Sequence, residues 1–255
     1  MKKLLLIFSF VVLCLSVGAQ VLRTYPPYLP PVATGGGGAE IRVAQYKFTQ
    51  NPNDSYSTNN GTNQGSMTYQ TYGSFDGYII YECSDANYIT LPSIAYGNTF
   101  TITFRLLFED FQLDHEYCIL NCLYGAGFGN GFQIVFNSGG ANTIKVITYN
   151  GSGDGATATS TDADLAFNTI HNVAVTFNRT AGTVKIYTNA TDRTSSATIR
   201  TDFTSTRTGS VAKDNGPWET SAWPQPLDEI QIYNVELTQS EVTWQQSNPN
   251  TMVTR

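Results

Sequence analysis

The sequence predicts an all-β protein, a sandwich of two antiparallel sheets with one short helix near its C-terminal end. Three observations lead to this fold class. Apolar and polar residues alternate in many short segments, which is the period of a half-buried strand. Clusters of Gly, Asn and Ser separate those segments, as turns require. A chain of 255 residues also needs a second sheet, since one sheet alone cannot cover its own apolar face.

The start of the chain, residues 1–19, predicts a secretory signal peptide. Lys2 and Lys3 give it a positive charge, residues 4–15 are apolar, and small residues at 17–19 form a cleavage site. The apolar stretch falls short of the roughly 20 residues that a membrane-spanning helix needs. We therefore expect an exported protein, secreted or held at the cell surface, that does not span the membrane.

The next segment, residues 20–40, predicts a tail or linker. Prolines crowd its first half and four consecutive glycines follow at 35–38, so an extended part should precede a flexible one. Such a tail could bind a protein partner or serve as a plain spacer. The sandwich domain is then expected over residues 41–250.

Within that domain the clearest predicted strand covers residues 99–108, where every second residue from Phe100 to Phe108 is apolar. Four more segments repeat the pattern, at residues 132–136, 144–147, 173–177 and 184–187. The polar residues 178–182 between the last two of these segments predict a hairpin turn.

The C-terminal segment, residues 227–242, changes its period halfway. Ile230 and Ile232 alternate with Gln231 and Tyr233, which predicts a strand. Thr238 is followed three residues later by Glu241, which is the capping box that opens a helix.

The same segment resembles the closing motif of laminin-G-like domains in the concanavalin A-like lectin/glucanase superfamily, a pattern close to L/I-D-E-V-R-I-Y-N-x-x-L-S-x-x-E-I. The start of the domain is also similar to the opening of that family, at residues 46–48, 51–65, 75–77 and 88–92. The resemblance covers about residues 44–247. It implies a jelly-roll arrangement of the two sheets, and it allows either a carbohydrate-binding domain or a glucanase.

The resemblance also implies a structural Ca²⁺ ion held by Asp228, together with backbone carbonyls near the start of the domain. Asp54 and Asp76 are the candidates for further ligands. An acidic, oxygen-rich extracellular chain could supply the six to eight oxygen ligands that Ca²⁺ takes. The alternative is that Asp228 caps a turn before its strand.

The charge of the chain excludes one class of partner. Its formal net charge is −6, and removing Lys2 and Lys3 with the signal peptide makes it more negative. Nucleic acid demands a basic surface, so we expect no nucleic-acid partner. Low charge with many Tyr, Phe, Thr and Asn is typical of a β-rich extracellular domain.

Cysteines leave two alternatives open. Cys118 and Cys122 are four residues apart, which is roughly 13 Å in one strand and too far for a disulfide. Cys83 could pair with either of them, since export permits disulfides. Buried free thiols are the other alternative.

The chain lacks the carboxylate pattern that a glycoside hydrolase of this superfamily needs. Such enzymes place an E-x-D-x-E type run on one strand, so that two carboxylates lie about 5 to 5.5 Å apart. Glu109 and Asp110 are adjacent and would face opposite sides, while 114–116 is more typical of a solvated turn. His171 is expected at the entry of a strand. The sequence therefore predicts a non-catalytic protein.

The sequence has better candidate residues for sugar binding than for catalysis. Aromatic rings and Asn or Asp side chains are the groups that bind sugars. The loop 214–224 contains Asp214, Asn215, Trp218 and Trp223. Its prolines would hold the indoles in place at little entropic cost. A second candidate set is Tyr124, Phe128 and Asn130 in a glycine-rich loop. For both sets the alternative is packing over the ends of the sandwich.

These observations rank three functions. The first is a secreted, non-catalytic carbohydrate-binding or adhesion domain, with a glycan or cell-surface polysaccharide as partner. The second is a structural or protein-interaction component of a cell surface or particle. A glycoside hydrolase is third, because its carboxylate run is missing.

Overall fold

The computed structural model describes residues 41–71, 78–81, 83–84, 86–108, 116–123, 129–137, 142–161, 165–166, 168–204, 206–213, 221–222, 225–248 and 253. The predicted signal peptide, residues 1–19, and the predicted tail, residues 20–40, lie outside the described residues. Within the described part of the chain, no helix is long and apolar enough to cross a membrane.

The described residues form short strands and one helix. The strands are β1 (Arg42–Tyr46), β2 (Thr62–Gln64), β3 (Thr68–Thr71), β4 (Tyr78–Tyr81), β5 (Tyr88–Ala95), β6 (Thr99–Phe108), β7 (Glu116–Asn121), β8 (Asn130–Asn137), β9 (Thr143–Asn150), β10 (Gly155–Ser160), β11 (Thr169–Asn178), β12 (Thr183–Thr188), β13 (Thr191–Asp192), β14 (Thr194–Ser196), β15 (Thr206–Val211), β16 (Ser221–Ala222) and β17 (Leu227–Tyr233). The helix is α1 (Gln239–Ser247).

The strands make two sheets, which confirms the predicted fold class. Sheet A has the order β13-β12-β11-β6-β17-β4-β3, with β1 also paired to β17. Sheet B has the order β14-β10-β9-β8-β7-β15-β5-β2, with β16 paired to β7. All pairings are antiparallel except that of the two-residue strand β16 with β7.

The core lies between the sheets, where the alternating residues of both sheets meet. Four residues of the predicted apolar face of β6 are buried, namely Phe100, Ile102, Phe104 and Leu106. The ring of Phe100 stacks on Phe177 of β11 at 4.2 Å between centroids. Phe132 of sheet B lies 5.4 Å from Phe100, so one aromatic cluster joins the two sheets. Burying each such side chain contributes about 1.5–3 kcal/mol to stability.

The outer face of sheet A is covered by α1. Thr238 accepts a hydrogen bond from the backbone N–H of Glu241, and the Glu241 carboxylate accepts one from the Thr238 N–H, which confirms the capping box. Leu237 and Val242 pack on Tyr233 of β17, in a cluster separate from the main core. The helix therefore closes this side of the sandwich.

Two sequence interpretations are settled by strand boundaries and burial. Cys83 and Cys122 are buried free thiols, so neither disulfide considered for Cys83 is formed. His171 does not precede its strand, because β11 begins at Thr169 and buries the imidazole at 1% exposure. Only Ile170 is apolar among the first four residues of β11, so the alternation there is too weak to mark the true beginning of the strand.

Candidate functional site

A row of side chains, all polar except that of Ile147, crosses the outer face of sheet B, opposite the core. Its members are direct cross-strand neighbours on seven strands, namely Thr62, Thr90, Ser210, Asn121, Gln133, Ile147 and Thr157. At about 4.8 Å per strand the row is roughly 29 Å long. It contains no charged residue. Both end residues are exposed, while the central residues Asn121 and Gln133 are buried.

The predicted tryptophan loop begins and ends in this sheet. Asp214, Asn215, Trp218 and Trp223 themselves lie outside the described residues, but the flanking backbone is described. After β15 the N–H of Ala212 binds the carbonyl of Ile119 in β7, and the chain returns as β16 beside residues 117–118 of the same strand. Both ends of the loop are thus fixed near the start of β7.

Four residues at the base of this loop form a cluster that we call the Tyr88 corner: Gln64, Tyr88, Thr90 and Lys213. The Lys213 Nζ lies 4.0 Å from the centroid of the Tyr88 ring. Gln64 lies directly opposite Tyr88, and all four residues are partly exposed. The corner therefore presents an aromatic ring, a cation, an amide and a hydroxyl to solvent. These are groups that can stack on a sugar and bind its hydroxyls.

The backbone explains how Lys213 reaches the ring. Ala212 has a left-handed φ of 62°, which turns the chain away from β15 directly before Lys213. The Ser210 hydroxyl donates to the Lys213 carbonyl at 3.2 Å and holds that turn. The Lys213 ammonium group then lies over the face of the Tyr88 ring in a cation–π contact.

The edge beside the corner is held by a bond between the two sheets. The hydroxyl of Tyr69 in β3 donates to the side-chain oxygen of Asn63 in β2. Burial raises the pKa of Tyr69 to about 12, so the phenol remains a donor at neutral pH. This contact fixes the rim from which Gln64 projects.

The second predicted set is described only at Asn130, beyond the C-terminal end of β7. Tyr124 and Phe128 are outside the described residues, but Asn130 begins β8. Its amide donates to the Asn150 carbonyl at 3.1 Å, and its side-chain oxygen accepts from the Thr204 N–H. Asn130 thus holds two loops together through both ends of its amide. The described residues thus place the ends of the tryptophan loop near the start of β7 and Asn130 beyond its other end.

Nearby charges on that side are paired. Arg200 binds Asp202 through two hydrogen bonds of 2.9 and 2.7 Å. This pairing, with a bond from Asn150, holds the pKa of the exposed Asp202 well below its ordinary value.

The predicted calcium ligand Asp228 lies in β17 of sheet A, shortly after the tryptophan loop in the sequence. It is 5% exposed, and its carboxylate lies 3.7 Å from the guanidinium of Arg105. Asp54 uses its Oδ1 to accept from the N–H groups of Gln45 and Tyr56. Among the described residues, no three His, Cys, Asp or Glu side chains gather as a metal site would need.

By themselves, Asp228 and Asp54 do not supply the ligand set of a Ca²⁺ site, because the Arg105 guanidinium already faces Asp228 and the Asp54 carboxylate accepts hydrogen bonds from Gln45 and Tyr56. Asp76 lies outside the described residues. Calcium binding therefore stays a prediction.

The E-x-D-x-E type run of glycoside hydrolases does not occur in the sequence, and the neighbouring carboxylates of Asp228 and Glu229 are buried on sheet A. Glu116 is ion-paired with Lys145 on the outer face of sheet B. Glu109, Asp110, Asp114 and His115 lie outside the described residues.

Sequence reasoning missed Tyr88 and Lys213 as site residues. The alternation of Tyr88 and Thr90 with buried Ile89 and Leu91 would have placed the first two on one outer face. The pairing of that face with Lys213 depends on contacts between distant parts of the chain.

The fold and the site together define a concanavalin A-like β-sandwich. Residues 84–243 match a laminin G model described as the concanavalin A-like lectin/glucanases superfamily. The chain belongs to this family, which confirms the resemblance. No curated protein matches the sequence.

Solved structures with the same fold include domain 4 of AbnA, an extracellular GH43 arabinanase from Geobacillus stearothermophilus, in complex with arabinotriose. It is 18% identical, has a TM-score of 0.60, and the match covers 80% of this chain and 97% of that domain. The ligand-binding domain of botulinum neurotoxin serotype D, in complex with N-acetylneuraminic acid, is 16% identical with a TM-score of 0.61; the match covers 81% of this chain and 50% of that one.

The binding domain of Paraclostridial Mosquitocidal Protein 1 is 16% identical with a TM-score of 0.64, and the match covers 83% of this chain and 53% of that one. The chain therefore spans about half the length of these toxin binding domains. At such identities the similarity shows the fold.

Proposed function

We propose that this protein is an exported, non-catalytic carbohydrate-binding domain that holds its glycan at the Tyr88 corner, together with the tryptophan loop. One observation carries the proposal. The corner places a partly exposed aromatic ring, an amide and a hydroxyl at the base of the loop that contains Trp218 and Trp223. Aromatic faces with a few convergent polar groups are the usual composition of a small-molecule site.

The polar row on sheet B supports the same proposal. It runs from the exposed Thr62 through the partly exposed Thr90 of the corner to the exposed Thr157, and it contains no charged residue. The structural neighbours add support, because two of them are described in complex with arabinotriose and with N-acetylneuraminic acid. The absence of an E-x-D-x-E run from the sequence supports a binding role over hydrolysis.

The test is a glycan-binding screen followed by affinity measurements on single variants. Trp218→Ala, Trp223→Ala and Tyr88→Ala should each weaken binding by about tenfold or more, because truncating a central aromatic contact costs more than about 1.4 kcal/mol. The matched control is Trp244→Phe, since the remaining tryptophan lies on α1 against sheet A. It should leave the affinity unchanged.

Three results would contradict parts of the proposal. Equal affinities for wild type and all three variants would move the site elsewhere. Release of reducing sugar from a bound glycan would overturn the non-catalytic role. If wild type binds no glycan, protein interaction takes the place of sugar binding. A related toxin binding domain is described in complex with synaptotagmin II, and deletion of residues 20–40 would then show whether the tail binds the partner.

A further inference from the structure

A buried polar network lies on the outer face of sheet A, beneath the end of α1. The Arg42 guanidinium donates to Gln45 at 2.7 Å, and the Gln45 amide donates to Glu229 at 2.8 Å. Gln231 also donates to Glu229, at 3.3 Å, and accepts from the Tyr233 hydroxyl. Both of these bonds end on Oε1 of Glu229, so neither amide donates to the second carboxylate oxygen.

A β-bulge brings Glu229 onto this face. The register between β17 and β6 shifts between Asp228 and Gln231, and Glu229 has a left-handed φ of 52°. Such a backbone conformation is unfavourable for residues other than Gly, so the surrounding contacts must stabilise it at Glu229. The extra residue lets the adjacent carboxylates of Asp228 and Glu229 share one face of the strand.

A small cavity of about 10 Å³ lies beside Glu229. Its polar lining also includes Thr103, Arg105, Asn172, Gln245 and Gln246, so it separates α1 from the sheet. Thr103 is 3% exposed, and its hydroxyl has no hydrogen-bond partner among the described residues. A buried hydroxyl left without a partner costs about 1–3 kcal/mol.

The charges around the cavity decide what it can hold. The carboxylates of Asp228 and Glu229 are matched by the guanidinium groups of Arg105 and Arg42, the first in an ion pair and the second through Gln45. A balanced set of charges favours a neutral ligand over a cation. The volume is that of about one water molecule, and such a water needs two to four polar partners.

We propose that this cavity binds one ordered water molecule. The water accepts a hydrogen bond from the Thr103 hydroxyl and donates one to the free oxygen of Glu229. Amide groups of Asn172 and Gln246 line the same space and can complete its bonding. The water thereby connects β6, the bulge of β17 and the C-terminal half of α1.

Three threonines on the same face of sheet A provide the test. Thr103→Val removes the hydroxyl at nearly constant volume. Thr176→Val is the matched control, because its hydroxyl is also buried without a described partner but does not line this cavity. Thr101→Val is the positive control, since its hydroxyl donates to the Val235 carbonyl at 2.8 Å and accepts from the Leu237 N–H at 2.9 Å.

Thermal melting distinguishes the outcomes by sign. Thr176→Val should leave the melting temperature equal or higher, because only an unsatisfied hydroxyl is lost. Thr101→Val and Thr103→Val should each lie about 2–4 °C below Thr176→Val. A crystal structure at high resolution should then show the water in wild type and not in Thr103→Val.

Two results would overturn the proposal. If Thr103→Val melts like Thr176→Val and no density lies beside Glu229, the cavity is dry. If calcium or sodium raises the melting temperature of wild type but not of Thr103→Val, relative to chelator or to choline salt, the ligand is a cation.

Discussion

The outer faces of the two sheets use polar residues in different ways. On sheet A the side chains of Arg42, Gln45 and Glu229 bind one another, and α1 packs on the same sheet through Val242 and through Leu237, which directly precedes its N-cap. On sheet B a row of uncharged side chains runs to exposed threonines at both ends, and the tryptophan loop begins and ends beside it. Polar groups that are satisfied inside the protein stabilise a fold, whereas exposed groups remain available to a ligand.

This difference assigns separate roles to the two faces. Stability should depend on sheet A and its helix, while binding should depend on sheet B and its loops. Changes confined to one face should therefore leave the property of the other face unchanged, because sites this far apart act independently when they share no partner.

The largest effect on sheet A is expected for Leu237→Ala. Leu237 is 1% exposed and packs between α1 and the sheet. Truncating such a residue should lower the free energy of unfolding by about 2–5 kcal/mol, as measured by urea denaturation. Glycan affinity of the folded variant should match wild type. A parallel loss of affinity would contradict the separation of the two faces.

A smaller effect is expected for Thr238→Ala, which removes the N-cap of α1 without touching the core. The loss of this cap should cost about 1 kcal/mol in the free energy of unfolding. Thr243→Ala is a suitable control, because Thr243 is an exposed residue in the middle of the same helix. Equal stability of the two variants would show that α1 does not depend on its capping box.

The smallest effect on the free energy of unfolding is expected from a change of pH that protonates His171 of sheet A. Burial lowers the pKa of this imidazole below 6.5, although its bond to the Ala166 carbonyl acts in the opposite direction. The unfolded chain then takes up the proton first as pH falls. The contribution of neutral His171 is therefore present above pH 6.5 and is lost as pH falls below it towards the folded-state pKa.

Urea denaturation at pH 7.5 and pH 5 should show this decrease in wild type, and His171→Asn should show a smaller one. The Asn189 amide donates to the imidazole at 3.1 Å, which protonation of that nitrogen would prevent. An identical pH dependence in both proteins would assign the effect to other groups.

The sequence by itself determined the features that depend on neighbouring residues. The alternation in 99–108 predicted the buried face of β6, the turn at 178–182 predicted the β11–β12 hairpin, and Thr238 with Glu241 predicted the start of α1. These patterns are local, because periodicity, turn residues and caps act within a few positions. The composition of the tryptophan loop is likewise a local property, and it sufficed to predict a sugar-binding loop at residues 214–224.

Only the tertiary structure decided where those features meet. β10 contains only Gly, Ala, Thr and Ser, and it is a strand because it pairs with β9. The contact of Lys213 with Tyr88 joins residues more than a hundred positions apart in the sequence. The bulge at Glu229 depends on the pairing of β17 with β6, which are equally distant. The free energy of these arrangements comes from long-range packing and cross-strand neighbours, which no short window of sequence contains.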